Sequence, residues 1–539
     1  MSPRGLEDPS RHLCLDRLSA QDSGRNPCRE DGQPACESTP VSDYVLLTGA
    51  TGLLGRYLVR DLLLAGQRLA LLLRPSKKQT CRERLEQILQ FWEERSRCVL
   101  PRPVCIEGDV TETALGLSPA DQRWIATNCG RLLHNAASLT FVGSDRQGEP
   151  WRTNLQGTEN VLALRRRLRI HHLHYVSTAY TCGLREGVVR EDELDMGQPF
   201  RNDYEHSKFV AEQLVRKAAG EACVTIYRPV VILGDSQSGY TSTYHGGYLY
   251  LRLMSVVLRR EQPEADGRIH APVRLNLTGE ELRNAVPVDW VSRVLVHLFC
   301  TPAAHGRTFH LASDDRIVSR EFVEHGLSYF NAYGVQFCRS PQPYTDRISA
   351  IDTVAHENMQ VYSEYDHTDP IFDTSNLKQF AGQLPAPVVD REMVHRFIRF
   401  GEEDNWGKRR PHKIRVDTWA EDMLTRQFGP CGELLVPEND PGAKTELLGL
   451  DLVGPGGGQW HCVFQGDALR GFDRGLPNGC GTMLRLPAAD FLEHVESSRS
   501  DTDVRLRQAV PTGQLAVAQR LLRALSGRLA PIAGSSDDS

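Results

Sequence analysis

An unbroken apolar run from Tyr44 to Leu47 meets a turn punctuated by Gly49, Gly52 and Gly55. An amphipathic stretch then reaches Ala65, and a second apolar run, Leu69 to Leu73, closes on Arg74. A short apolar run followed by a helical period and another apolar run predicts strand, helix, strand, with both strands buried on two faces. The same alternation continues downstream. Val104 to Ile106 is a short strand ending in Glu107-Gly108-Asp109, and Arg131 to His134 is another ending in Asn135-Ala136-Ala137. His174 to Ser177 and Thr225 to Tyr227 add two more. Strands that alternate with helices and feed their loops to one edge predict an α/β chain built on a doubly wound parallel sheet.

The three glycines occupy the positions of a phosphate-binding turn. Gly49 permits the tight turn, Gly52 lets backbone N–H groups approach a pyrophosphate, and Gly55 lets the helix lie close on the strand. A dinucleotide would therefore sit on the helix N-terminus. The residue ending the second strand selects the cofactor, because a carboxylate there bonds the ribose 2′-hydroxyl whereas an arginine accommodates a 2′-phosphate. Arg74 stands there with Lys77 and Lys78 beyond it, and no carboxylate occurs between Asp61 and Glu83, which points to NADP(H). The competing reading makes these three cations a solvated loop. Asp109 is placed to accept a hydrogen bond from an adenine amino group, and the small Ala136 and Ala137 leave room for the cofactor.

Composition narrows the classes. The 539-residue chain is long enough for two or three domains. Its net charge of −6, with no basic stripe interleaved with aromatics, argues against nucleic acid. Fourteen cysteines lie scattered without CxxC pairs, which predicts free thiols in a reducing compartment, a cytoplasmic location, and no zinc or other metal site. No run reaches the roughly 18 to 20 apolar residues of a membrane span. Residues 1–42 are polar and carry Glu7, Asp8, Asp16, Asp22, Glu30 and Asp31, so a disordered leader is expected rather than a signal or transit peptide.

Chemistry enters in the next segment. Tyr204 and Lys208 stand four apart, hence on one face of a helix. An ammonium beside the phenol would favour phenolate and bring Tyr204 into range for proton transfer, and it could also hold ribose hydroxyls. Thr178, at a strand end, supplies a second hydrogen bond to an oxygen that gains charge during hydride transfer.

Five motifs in order resemble the extended short-chain dehydrogenase/reductase family: TGATGLLG at Thr48 to Gly55, HNAAS at His134 to Ser138, NLQGT at Asn154 to Thr158, STAY at Ser177 to Tyr180 and YEHSK at Tyr204 to Lys208. Within it, LLLRPSK at the end of the second strand, YRPVVILGDSQSG at Tyr227 to Gly239 and NAVPVDWV at Asn284 to Val291 are similar to the thioester reductase branch, which includes fatty acyl-CoA reductases. The resemblance implies a Rossmann-type sheet with a small substrate lobe over residues 43–406. It implies Thr178, Tyr204 and Lys208 as catalytic residues. Cofactor contacts are implied along Thr48, Gly49, Thr51, Gly52, Leu53, Leu54, Gly55, Arg74, Lys77, Asp109, Val110, Asn135, Ala136, Ala137, Asn154, Tyr204, Lys208 and Arg228. The implied reaction takes an acyl thioester to aldehyde or alcohol with NADPH. With no adenylation or carrier segment ahead of the reductase, the acyl group is expected on coenzyme A or on a separate acyl carrier. Tyr240, Tyr244, Tyr248 and Tyr250 are read either as an acyl channel or as domain packing. The same catalytic trio serves members acting on sterols or other lipid ketones. The other readings kept open are a non-catalytic NADP(H) sensor and a lipid carrier.

A linker is expected over 407–415, an α+β domain over 416–526 and a flexible tail over 527–539. In that domain Trp460 to Phe464 and Gly481 to Leu486 read as strands, and Ala488 to Glu496 and Val510 to Leu525 as helices. The order is similar to the sterol carrier protein type of lipid-binding domain, which would hold a lipid near the active site. The alternative is a module that packs on the reductase or mediates a homodimer.

Overall fold

A computed structural model describes residues 44–143, 145–259, 261–270, 273–339, 367–409, 413–428, 445–465, 468–476, 482–497 and 521. The expected leader and tail lie outside them, as does the Val510 to Leu525 helix apart from Leu521.

The first unit forms as its pattern requires. β1 (Tyr44–Thr48), α1 (Leu53–Leu64) and β2 (Arg68–Leu73) are followed by α2 (Cys81–Ser96), β3 (Val104–Glu107), α3 (Pro119–Asn128), β4 (Cys129–His134), α4 (Gly157–Leu168), β5 (His172–Val176) and α5 (Asp203–Lys217). Two further strands, Cys223–Pro229 and Thr308–Leu311, complete a seven-stranded sheet. Its order is Thr308–Leu311, Cys223–Pro229, β5, β4, β1, β2, β3, and every pairing is parallel. Strand order reverses between β1 and β4, the point at which an open α/β sheet leaves a crevice for ligand.

Alternate residues of β1 serve opposite faces. Val45 and Leu47 join the core under α1, α2 and the helix Val288–Phe299, while Tyr44 and Leu46 join the core under α3, α4 and α5. All five residues of the strand are buried, which is why it reads as a continuous apolar run. The helices on both faces close a doubly wound α/β domain. Among the described residues no helix is long and apolar enough to cross a membrane.

The C-terminal unit is a four-stranded sheet in the order Ala468–Arg474, Gly458–Gln465, Thr445–Val453, Thr482–Pro487. Leu448, Leu450 and Leu452 share one face and build its core with residues of the helices Ala420–Phe428 and Ala488–Ser497, together with Leu521. The unit docks where the reductase strands begin. The Leu476 N–H donates to Tyr44 Oη at 2.8 Å and Arg68 Nη1 donates to the Leu476 carbonyl at 3.1 Å. Trp124 Nε1 donates to the Arg474 carbonyl at 2.8 Å, and Arg474 pairs with Asp121 at 2.6 Å. Tyr44 and Arg68 are the first residues of β1 and β2, so this contact lies at the sheet edge opposite the glycine turn. These contacts pack the unit on the reductase, at the end of the sheet away from the glycine turn.

Candidate active site

At the other edge a cavity of about 810 Å³ opens along the ends of β1, β2, β4 and β5 and runs on under the substrate lobe. Thr48, Gly49, Thr51, Gly52, Leu53, Leu54 and Gly55 line its first part, with Arg74, Asp109, Val110, Asn135, Ala136 and Ala137 around them. Thr178, Tyr204 and Lys208 line its middle. Sixteen of the expected positions thus meet on one wall.

The glycines differ in what holds them. Gly49 has φ +72°, and a Cβ there would stand 2.6 Å from the Ala136 nitrogen. A Cβ on Gly55 would stand 2.0 Å from the Gly49 carbonyl oxygen. Gly52 would meet only that oxygen, at 3.6 Å, an ordinary contact. Nothing in the protein itself therefore demands glycine at 52, and the backbone there is open to close approach by a ligand. α1 starts at Gly52 with no side-chain cap and no acid in its first turn, whereas Thr80, Ser118 and Asn202 cap α2, α3 and α5. Its first N–H groups are left for an anion, so the turn fits the pyrophosphate of a dinucleotide.

Thr48 ties the turn to the next strand end. Its hydroxyl lies 2.8 Å from His134 Nδ1 and accepts from the Asn135 and Ala136 N–H groups at 3.2 Å each. Burial, with Lys208 adding to it, pushes His134 down to about 3, so this histidine is neutral. At the end of β2, Arg74 Nη1 donates to Asp109 Oδ2 at 3.2 Å. Thr111 donates its N–H and its hydroxyl to the other oxygen of Asp109 at 2.9 and 3.0 Å. Burial opposes ionisation of Asp109, yet these bonds hold its carboxyl below the usual range.

Arg84, in the first turn of α2, was not singled out from sequence and lines the same end of the cavity. Its Nη2 donates to Thr51 Oγ1 at 3.2 Å and its Nη1 to the Arg74 carbonyl. Partial burial, then the nearby Arg74 charge, lower its pKa. Two arginines that repel each other at a strand end form a place where an anion is welcome. The signal was present in Thr80-Cys81-Arg82-Glu83, a capping box whose Thr80 and Glu83 bond each other's backbone and so begin α2 just before Arg84.

Three expected contacts lie elsewhere. Arg228 is buried, donating Nη2 to Glu212 Oε1 at 2.7 Å and to the Glu193 carbonyl at 2.8 Å. Burial opposes the charge on Glu212, but Arg228, Arg216 and Ser177 hold it ionised, down at about 2. Asn154 is consumed internally, accepting from the Ser138 N–H at 2.8 Å and donating to Ser207 Oγ at 3.0 Å. Lys77 is exposed in the loop after β2, outside the cavity lining.

The middle of the cavity also corrects an expected pairing. Lys208 Nζ donates to Tyr175 Oη at 2.9 Å and to the Val176 carbonyl at 2.8 Å, rather than to Tyr204. Burial pushes its pKa down to about 7, only partly opposed by Glu212. The Tyr204 phenol is bonded to the Thr178 side chain instead, and burial pushes it up to about 12. Thr178 and Tyr204 thus present a coupled pair of hydroxyls, with a cation of adjustable charge behind them.

The four tyrosines divide. Tyr248 and Tyr250 line the far part of the cavity with Leu277, Ile317, Phe322 and Val323. Tyr240 packs against Phe91 and Phe400, and Tyr244 against Trp406, donating its hydroxyl to Asp404 at 2.7 Å. Tyr240 and Tyr244 are domain packing, while Tyr248 and Tyr250 line the cavity.

Residues 47–295 match the family model described as male sterility protein, an NAD-binding family. That stretch has the fold of an extended short-chain dehydrogenase/reductase. Its seven-stranded sheet and the order of its motifs agree with that family, and a nicotinamide cofactor belongs in the cleft. The aldehyde reductase lnaA of Aspergillus flavus is 26% identical over 428 residues, covering 70% of this chain and 39% of that protein. The nonribosomal peptide synthetase asaC of the same organism is 29% identical over 285 residues, covering 51% of this chain and 26% of that protein. The chain thus spans well under half the length of these relatives. Among solved structures, the terminal R domain from the myxalamid PKS-NRPS biosynthetic pathway superposes with a TM-score of 0.56 and 25% identity, covering 69% of this chain and 93% of that one.

Proposed function

We propose that the protein is an NADPH-dependent oxidoreductase that reduces an acyl thioester to the aldehyde, with a second round giving the alcohol. The observation that carries this reading is that Thr178, Tyr204 and Lys208 stand on the wall of the same cavity that begins at the glycine turn. The branch resemblance of LLLRPSK, YRPVVILGDSQSG and NAVPVDWV, and the aldehyde reductase and R-domain relatives, support the thioester as substrate.

Bound along the turn, NADPH supplies the hydride. Thr178 and Tyr204 hydroxyls together hold the thioester carbonyl oxygen, and both bonds strengthen as charge develops on it. Tyr204 Oη gives its proton to that oxygen, which suits a phenol that burial keeps protonated at neutral pH. The resulting hemithioacetal loses its C–S bond, releasing aldehyde and thiol as the hydroxyl proton passes to sulfur. Lys208 holds the ribose hydroxyls and adds positive charge behind Tyr204. Arg74 and Arg84 hold the 2′-phosphate, the group that separates NADPH from NADH, and Asp109 receives the adenine amino group. The acyl group arrives on coenzyme A or on a carrier protein.

The test is stoichiometry. With octanoyl-CoA, oxidation of NADPH is expected to release free thiol, one equivalent per aldehyde formed. Arg84→Ala is expected to raise KM for NADPH about tenfold and leave KM for NADH unchanged, the loss of one charge-assisted contact. NADPH oxidation without thiol release would sink the thioester reading.

A further inference from the structure

Behind Lys208 lies a hydrogen-bonded chain through Tyr175, Thr158 and His134 to Thr48, and no residue of it is more than 2% exposed. Every proton along it can be placed. Thr48 Oγ1 accepts from the Asn135 and Ala136 N–H groups at 3.2 Å each, which takes up its lone pairs, so its own proton goes to His134 Nδ1 at 2.8 Å. Burial keeps His134 neutral, and a neutral imidazole that accepts at Nδ1 carries its proton on Nε2. That N–H meets Thr158 Oγ1 at 3.2 Å. The Thr158 hydroxyl donates to the Asn154 main-chain carbonyl at 2.6 Å, an oxygen that can only accept. Thr158 therefore accepts from its other two partners, His134 and the Tyr175 hydroxyl. The Thr48 end and the Asn154 end independently require the same histidine tautomer.

Tyr175 gives its proton to Thr158 and so offers Lys208 only a lone pair, which Nζ meets at 2.9 Å. The Val176 carbonyl, another pure acceptor, takes a second N–H at 2.8 Å. A tetrahedral nitrogen with two N–H groups held against β5 has one position left, on the side of the cavity that Lys208 lines. In the ammonium that position is an N–H and in the free amine it is a lone pair, because neither acceptor behind can supply a proton. A hydroxyl free to rotate could donate to the amine as readily as accept from the ammonium. Locked as an acceptor, it favours the ammonium against burial.

Resting on the reading of NADPH as cofactor, we infer that Tyr175 is the positioning residue of Lys208: its hydroxyl, fixed through Thr158 and His134 to the glycine turn, holds Nζ so that its one titrating position faces the cofactor ribose. The chain joins the group that holds the ribose to the turn that holds the pyrophosphate. The other groups around Nζ keep their charge state between pH 5.5 and 9. On the same helix, α5, Glu212 is held ionised at about 2 and Tyr204 is pushed up to about 12. From β4, His134 stands at about 3, and on β5 burial holds the Tyr175 phenol above its usual value.

The experiment measures Kd for NADPH on the full chain from pH 5.5 to 9, in the wild type, Tyr175→Phe, Thr158→Val and Thr158→Ser. In the wild type, affinity is expected to fall as pH rises past about 7, where Lys208 loses its proton in the free protein. Tyr175→Phe keeps the ring and removes the acceptor. Loss of an acceptor disfavours the ammonium and lowers its pKa, so the fall is expected to begin about one pH unit lower, the effect of losing one hydrogen bond to a charged group. Thr158→Val, similar in shape, frees the Tyr175 hydroxyl and is expected to move the onset the same way, whereas Thr158→Ser keeps the hydroxyl and restores the wild-type profile. Should Tyr175→Phe fail to fold, the two Thr158 variants carry the comparison. An onset unmoved in Tyr175→Phe and Thr158→Val, or a Kd raised equally at every pH, makes Tyr175 a packing residue and overturns the assignment. A flat wild-type profile overturns it as well, since Lys208 would then not titrate against the cofactor. Failure of the wild type to bind NADPH at any pH overturns the cofactor reading itself.

Discussion

Lys208 is held where an ammonium is expensive, 2% exposed and facing a phenol and a carbonyl rather than a carboxylate. Burial brings its pKa down to about 7, within the reach of neutral pH. A polyanionic cofactor favours the charged form, so binding raises that pKa and takes up a proton. The sign follows: the affinity for NADPH is full below pH 7 and declines as pH rises through the bound-state pKa. A titration of Kd from pH 6 to 9 is expected to show this decline in the wild type and none in Lys208→Met; a flat wild-type profile would contradict it. Tyr204 and Lys208 were legible in the sequence because i and i+4 share a helix face. Their mutual contact was not, because Tyr175 and the Val176 carbonyl, brought in by β5, compete for the ammonium.

At the scale of elements, the strand, turn and helix from Tyr44 to Leu73 were readable almost to the residue, since two-sided burial and close packing leave little freedom in composition. Gly55 and Gly52 separate the two demands made on that turn. Gly55→Ala forces a Cβ onto the Gly49 carbonyl and is expected to destabilise the fold by about 1–3 kcal/mol, as overpacking does. Gly52→Ala meets no protein atom closer than 3.6 Å, so its cost in stability is expected to stay under about 1 kcal/mol while NADPH binding weakens at least tenfold. Thermal melting with and without NADPH distinguishes them; equal destabilisation in the absence of cofactor would show that both glycines serve packing alone. The strand Thr308–Leu311 escaped the sequence reading because its four residues carry too short a pattern, and its place is fixed by pairing with Cys223–Pro229.

Over the whole molecule, two units meet at the edge of the sheet away from the chemistry. Trp124 is nearly buried there, its ring edge-on to Tyr44 with centroids 5.2 Å apart. Trp124→Ala is expected to cost about 3–5 kcal/mol of stability, the usual loss for a large buried aromatic, while leaving KM for NADPH unchanged. A shift in KM would show that docking is felt across the sheet. Sequence order alone could not orient the C-terminal unit, because backbone contacts from Arg474 and Leu476 decide the docking. The central claim concerns the other edge: hydride reaches a thioester carbonyl held by Thr178 and Tyr204. It is tested most directly by supplying NADPH deuterated at nicotinamide C4 with octanoyl-CoA and reading the label in the product by mass spectrometry, with wild type and Tyr204→Phe. The account predicts deuterium at C1 of the aldehyde or alcohol, and a loss of rate of about 10²–10⁴-fold in the variant. Unlabelled product, or a variant as fast as the wild type, would contradict it.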